Sequence, residues 1–78
     1  MIPENWKIEK GRLVREFEFD DFKSALDFVN KVGEIAEEKE HHPDIYLSYG
    51  KVRIELVTHE EDEVTEKDEE IAKEINKL

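Results

Sequence analysis

The chain has 78 residues, with no cysteine, no glutamine, and only 3 glycines, 2 prolines, 1 methionine and 1 tryptophan. Without cysteine there is neither a disulfide framework nor a thiolate metal site. A core of this size rarely supplies more than about 3–5 kcal/mol without such staples, so self-association is the expected substitute. Long apolar runs are missing too: none approaches the roughly 20 residues of a membrane-spanning helix. The opening MIPENWKIEK does not read as a signal peptide, and a soluble cytoplasmic protein is the expectation. Basic residues are outnumbered, 12 against 22 acidic ones, for a net charge of −10. Such a field repels phosphate backbones and argues against a nucleic-acid partner, while the lack of a long apolar run is the reason no membrane partner is expected. Charged residues make up 44% of the chain. Most are Glu and Lys, a bias that thermophilic proteins show and that an ordinary acidic surface also fits.

What is present falls into one small domain over residues 1–78, with no internal linker or low-complexity tract. Trp6 to Glu9 alternates apolar and polar residues, Lys10-Gly11 reads as a turn, and Leu13, Phe17 and Phe19 form the apolar face of a second strand. Trp6 is read as a core residue. Asp20 or Asp21 caps a helix carrying Phe22, Ala25, Leu26, Val29, Val32, Gly33 and Ala36 at helical spacing, widened by Phe28 and Ile35. Ile45 to Tyr49 and Lys51 to Thr58 read as a β-hairpin about Gly50, which is expected to supply a positive φ. Val52, Ile54 and Leu56 share one face of its second strand. Glu60 to Glu63 is an acidic loop, and Thr65-Glu66-Lys67-Asp68 has the capping-box pattern. Ile71, Ala72, Ile75 and Leu78 then mark a last helix. The predicted order is β-β-α-β-β-α: an α+β two-layer sandwich, a four-stranded antiparallel sheet with helices packed on one face.

The chemistry concentrates between Glu37 and Asp68. All 3 histidines lie there, as His41, His42 and His59. Antiparallel pairing about Gly50, continued outward, sets His41 opposite His59 to within one residue, and neighbouring strands lie about 5 Å apart. Imidazoles titrate near neutrality and can both donate and accept a proton. A zinc site is the rival reading, but adjacent side chains of an extended segment point apart, so His41 and His42 are poorly placed to share an ion. Neither the loop before the first strand of this hairpin, where His41 and His42 lie, nor the end of the strand beside it, where His59 lies, is a core position, so none of the three histidines is expected to matter much to folding. Pro43 biases His42 towards an extended backbone.

Glu37, three residues, His41-His42-Pro43, five residues, Tyr49, nine residues, His59, eight residues, Asp68: this spacing resembles the signature of the pterin-4a-carbinolamine dehydratases. A weaker likeness extends upstream through Trp6, Gly11 and Phe17-x-Phe19-x-x-Phe22. The resemblance implies a hydro-lyase that turns 4a-hydroxytetrahydropterin into quinonoid dihydropterin and water, as in tetrahydrobiopterin recycling, with no cofactor and no metal. It implies His41, His42 and His59 as the acid–base set, with Glu37, Pro43, Tyr49 and Asp68 supporting them or binding substrate. In that role Asp68 orients an imidazole, beside its duty in the capping box. A homodimer or homotetramer is implied as well. The family usually begins with one more helix than this chain, which bears on assembly and not on the motif. Three readings stay open beside it: a non-enzymatic dimerisation or interaction module, a small histidine-ligated metalloprotein, and a dehydratase for another pterin.

Overall fold

The computed structural model describes residues 1–78 in the order β1 (Lys7–Glu9), β2 (Arg12–Glu18), α1 (Phe22–Lys39), β3 (Asp44–Ser48), β4 (Lys51–Leu56) and α2 (Glu66–Ile75). The strands form one antiparallel sheet in the order β1-β2-β4-β3, so the two hairpins meet along β2 and β4, and β1 and β3 are the edges. The architecture is the α+β two-layer arrangement predicted. Leu13, Val52, Ile54 and Leu56 from the sheet pack with Ala25 and Val32 of α1 and Ile71, Ala72 and Ile75 of α2 in one buried cluster. Trp6 joins it, and its Nε1–H donates to Asn76 Oδ1 at 2.8 Å.

Local chemistry explains the joints. Lys10 and Gly11 both have positive φ, 53° and 79°, the pair of values that a two-residue type I′ hairpin turn requires. Asp21 caps α1, its Oδ1 accepting from the Ser24 amide at 2.8 Å. Gly50 departs from expectation, because its φ is not positive. The residue is needed for space instead: a Cβ there would stand 2.7 Å from the Phe19 carbonyl oxygen, and the Gly50 carbonyl accepts the Phe19 amide at 2.8 Å. Tyr49-Gly50 therefore ties the β3–β4 turn to the exit of β2.

Burial departs from expectation on α1 and at Leu78, and Val14 adds a buried residue outside the expected set. Val14, alternating with the apolar face of β2, is buried as deeply as Leu13, flanked across the strands by Lys7 and Glu55. On α1 the stripe is narrower than the periodicity implied: Phe22 and Leu26 stay exposed, while Phe28, Val29 and Ile35 pack against the core. Helix α2 ends at Ile75, so Leu78 lies past its end and is exposed.

The face of the sheet away from the helices carries an ion-pair net. Arg53 reaches Glu9 (2.5 Å), Glu55 (2.8 Å) and Glu16 (2.9 Å), and Arg12 reaches Asp44 (2.5 Å). Hydrogen bonds from Arg53 hold the Glu9 and Glu16 carboxyls below their usual range. No helix is long and apolar enough to cross a membrane.

Candidate active site

The site forms where the end of α1, the segment after β4 and the start of α2 meet. Helix α1 stops in a Schellman arrangement: the Glu40 amide donates to the Glu37 carbonyl at 3.3 Å and the His41 amide to the Ala36 carbonyl at 3.1 Å. This requires the left-handed conformation at Glu40, with φ 54° and ψ 40°. A side chain there costs about 1–2 kcal/mol relative to the right-handed region. The cap pins the backbone of His41 to the last turn of the helix. Pro43 then directs the chain into β3.

Each of the two adjacent histidines is turned to its own carboxylate. His41 Nε2 lies 2.6 Å from Asp68 Oδ1, with the ring 13% exposed and Asp68 fully buried. His42 Nε2 lies 2.5 Å from Glu37 Oε2, and both of those side chains are exposed. This divergence is what an extended backbone imposes on neighbours. No group of three histidine, aspartate or glutamate side chains is placed to hold one metal ion.

Asp68 is the hub. Its Oδ2 accepts the Thr65 amide at 2.9 Å, which completes the capping box of α2, and the Thr58 hydroxyl at 2.9 Å. Its Oδ1 is left for His41. The helix cap and the imidazole therefore use different oxygens of one carboxylate. Two donors, the Thr65 amide and the Thr58 hydroxyl, already reach Asp68, and since an ionised carboxylate is acceptor-only, a contact of the His41 ring with it is made by a ring N–H. The donor to Oδ1 is then the His41 Nε2–H, so Nδ1 is the unoccupied ring nitrogen.

The observed β3–β4 register pairs Asp44 with Glu55 and Ser48 with Lys51. Continued outward, it sets His41 opposite Thr58, one residue from His59. Thr58 is 2% exposed and pairs with Glu63 in an isolated bridge. That bridge closes the acidic loop into a tight turn, with Asp62 left-handed at φ 54°. His59 is the first residue of this turn, is exposed, and its ring makes no hydrogen bond within the chain.

The expectation that none of the histidines matters to folding is corrected for His41, because removing its ring leaves a buried carboxylate oxygen without its donor. Tyr49 is not brought to the histidines: it is 69% exposed in the β3–β4 turn, at the other end of β3 from Pro43. Sequence reasoning missed Thr58. Its signal was present, since Thr58 continues the buried alternation of Val52, Ile54 and Leu56, and a polar residue at a buried parity needs a polar partner. A hollow of about 360 Å³ beside Thr58 and Thr65, edged by Glu60, Glu61, Glu66 and Lys67, contains none of the three histidines.

The family model for pterin 4 alpha carbinolamine dehydratase matches residues 1–78. A protein of Sulfolobus acidocaldarius with a provisional pterin-4-alpha-carbinolamine dehydratase name is 47% identical over 75 residues, which is 96% of this chain and 82% of that protein. The crystal structure of a transcriptional coactivator/pterin dehydratase from Brucella melitensis superposes with a TM-score of 0.87 at 36% identity, covering 94% of this chain and 80% of that one. A pterin dehydratase-like protein described as a RuBisCO assembly factor of the alpha-carboxysome shares the fold, with a TM-score of 0.78 at 21% identity over 94% of this chain and 87% of that one. With two histidines of the spaced motif, His41 and His42, each paired with a carboxylate of the same motif, and the match running the length of the chain, the protein belongs to the pterin-4-alpha-carbinolamine dehydratase family.

Proposed function

We propose that this protein dehydrates a 4a-hydroxytetrahydropterin to the quinonoid dihydropterin by histidine acid–base catalysis, as in tetrahydrobiopterin recycling. The reaction breaks the C4a–O bond and removes the N5 hydrogen. A protonated imidazole gives its proton to the departing oxygen, which leaves as water. The N5 lone pair forms the new C=N bond, and a neutral imidazole takes the N5 proton. The two transfers cancel, so the enzyme needs no net proton and no redox partner.

The observation that carries this reading is the pairing of His41 with the buried Asp68 carboxylate. A carboxylate behind an imidazole fixes its tautomer and ring orientation, the arrangement of a working general acid or base. His42 and His59, both exposed, complete the set, with Glu37 orienting His42. Pro43 fixes the His42 backbone, and Tyr49 has a part only if a second protomer brings it near. The test adds pure protein to chemically generated 4a-hydroxytetrahydropterin and follows its ultraviolet absorbance. Decay faster than the spontaneous background, unchanged by excess chelator, supports the proposal. No acceleration refutes it and favours the non-enzymatic interaction module. Decay abolished by chelator and restored by zinc favours the metalloprotein. The pterin side chain is left open by the motif, and a panel of pterins in the same assay assigns it.

A further inference from the structure

The geometry points to Thr58 as a positioning residue. Its hydroxyl fixes the Asp68 carboxylate so that His41 keeps its proton on Nε2, and it anchors the backbone step from which His59 departs. The consequence for turnover rests on the histidine chemistry proposed above; the consequence for the ring does not.

A hydroxyl has one hydrogen to donate. Thr58 Oγ1 gives it to Asp68 Oδ2 at 2.9 Å. The 2.6 Å contact between Thr58 Oγ1 and Thr65 Oγ1 must then run the other way, with Thr65 donating. Thr65 Oγ1 in turn accepts the Lys67 amide at 3.3 Å. The bonds share one direction, from the first turn of α2 through two hydroxyls to the carboxylate, and chains of that kind strengthen their members. Thr58 is 2% exposed and Asp68 is fully buried, so water does not substitute for either partner.

The division of the carboxylate gives Thr58 its role. Two donors, the Thr65 amide and the Thr58 hydroxyl, hold Oδ2. They fix the plane of the group and leave Oδ1 aimed at His41. With the hydroxyl gone, one amide remains and the carboxylate can turn about it. That hydroxyl belongs to Thr58, the residue before His59, and the Thr58 amide donates to the Glu63 carbonyl at 3.1 Å. One carboxylate thus holds the His41 ring directly and the His59 backbone through Thr58. A threonine buried only as a satisfied core residue would need none of this direction.

The experiment is nitrogen-15 NMR of the ligand-free, histidine-labelled full chain near neutral pH. Wild type and Thr58→Ser are expected to carry the His41 proton on Nε2 as a protected ring N–H. In Thr58→Val, which keeps the shape and loses the hydroxyl, that proton should exchange at least about tenfold faster. Turnover should follow the same order, kcat falling at least about tenfold in the valine variant with KM within about twofold, and serine restoring it. A wild-type His41 with its proton on Nδ1 overturns the inference without any variant having to fold. So does a valine variant whose ring N–H is as protected as wild type. A wild-type chain that dehydrates no pterin, yet loses the Nε2 proton's protection in Thr58→Val, sinks the dehydratase proposal and leaves the role of Thr58 standing.

Discussion

His41 and Asp68 are 27 residues apart in the chain and 2.6 Å apart at Nε2 and Oδ1. The histidine hangs from the C-terminal cap of α1, and the aspartate stands in the first turn of α2. Neither residue is on a strand. The sheet between them sets the distance, since β3 starts just after His41 and β4 ends just before Thr58, which holds the other oxygen of Asp68.

That relationship separates the histidines. His59→Ala and His42→Ala remove exposed rings, and such changes usually cost less than about 0.5 kcal/mol of stability. His41→Ala strips a donor from a buried carboxylate, which typically costs about 1–3 kcal/mol. All three should lose at least about tenfold in turnover, since a general acid or base typically contributes 10²–10⁴. Thermal melting and the dehydration assay, run together, check the pattern. Three variants with near-normal rates would place the chemistry elsewhere.

Glycine has opposite effects at two positions. Glu40 is left-handed, so Glu40→Gly should leave stability unchanged or raise it by up to about 1 kcal/mol. Gly50→Ala should lower it, because its Cβ meets the Phe19 carbonyl at 2.7 Å. Denaturant midpoints of the two variants decide this, and a destabilised Glu40→Gly would contradict the strain argued for the cap.

Acid should weaken the fold through Arg53. The Glu9 and Glu16 carboxyls are held below their ordinary value of 4.5 by hydrogen bonds from Arg53, and Asp21 is held below 3.8 by the Ser24 amide. A carboxyl lowered in the folded state is more easily protonated when unfolded. Its contribution is therefore complete above the ordinary value and disappears as pH falls through the lowered one. Urea midpoints should hold near neutrality and fall below about pH 4.5, less steeply in Arg53→Met. These groups are exposed, so added salt should blunt the effect. A wild-type midpoint that rises on acidification would reverse the sign argued here.

Assembly is the remaining expectation. Strands β1 and β3 are unpaired edges, and Phe22, Leu26 and Tyr46 are exposed. Open edges and apolar surface of this kind are usually covered. Light scattering at micromolar concentration should give a dimer or a tetramer, and a single protomer's mass would count against it.

The sequence by itself determined the element order, both hairpins, the Thr65 cap, an aspartate cap on α1 to within one residue, and the spaced set from Glu37 to Asp68. Each of these depends on neighbours within a few residues, through periodicity, turn chemistry or a side chain bonded to a nearby amide. The tertiary structure decided which carboxylate each histidine faces. It also decided that His41 is opposite Thr58, that Gly50 is required by the Phe19 backbone, and that Val14 is buried. Those outcomes depend on a one-residue register and on how α2 packs against the end of β4. A slip of one residue turns every side chain of a strand to the other face. The sequence alone located the hairpin's centre only to within a residue. Asp68 shows both levels in one side chain: Thr65, three positions away, accounts for Oδ2, and only the folded sheet brings His41 to Oδ1.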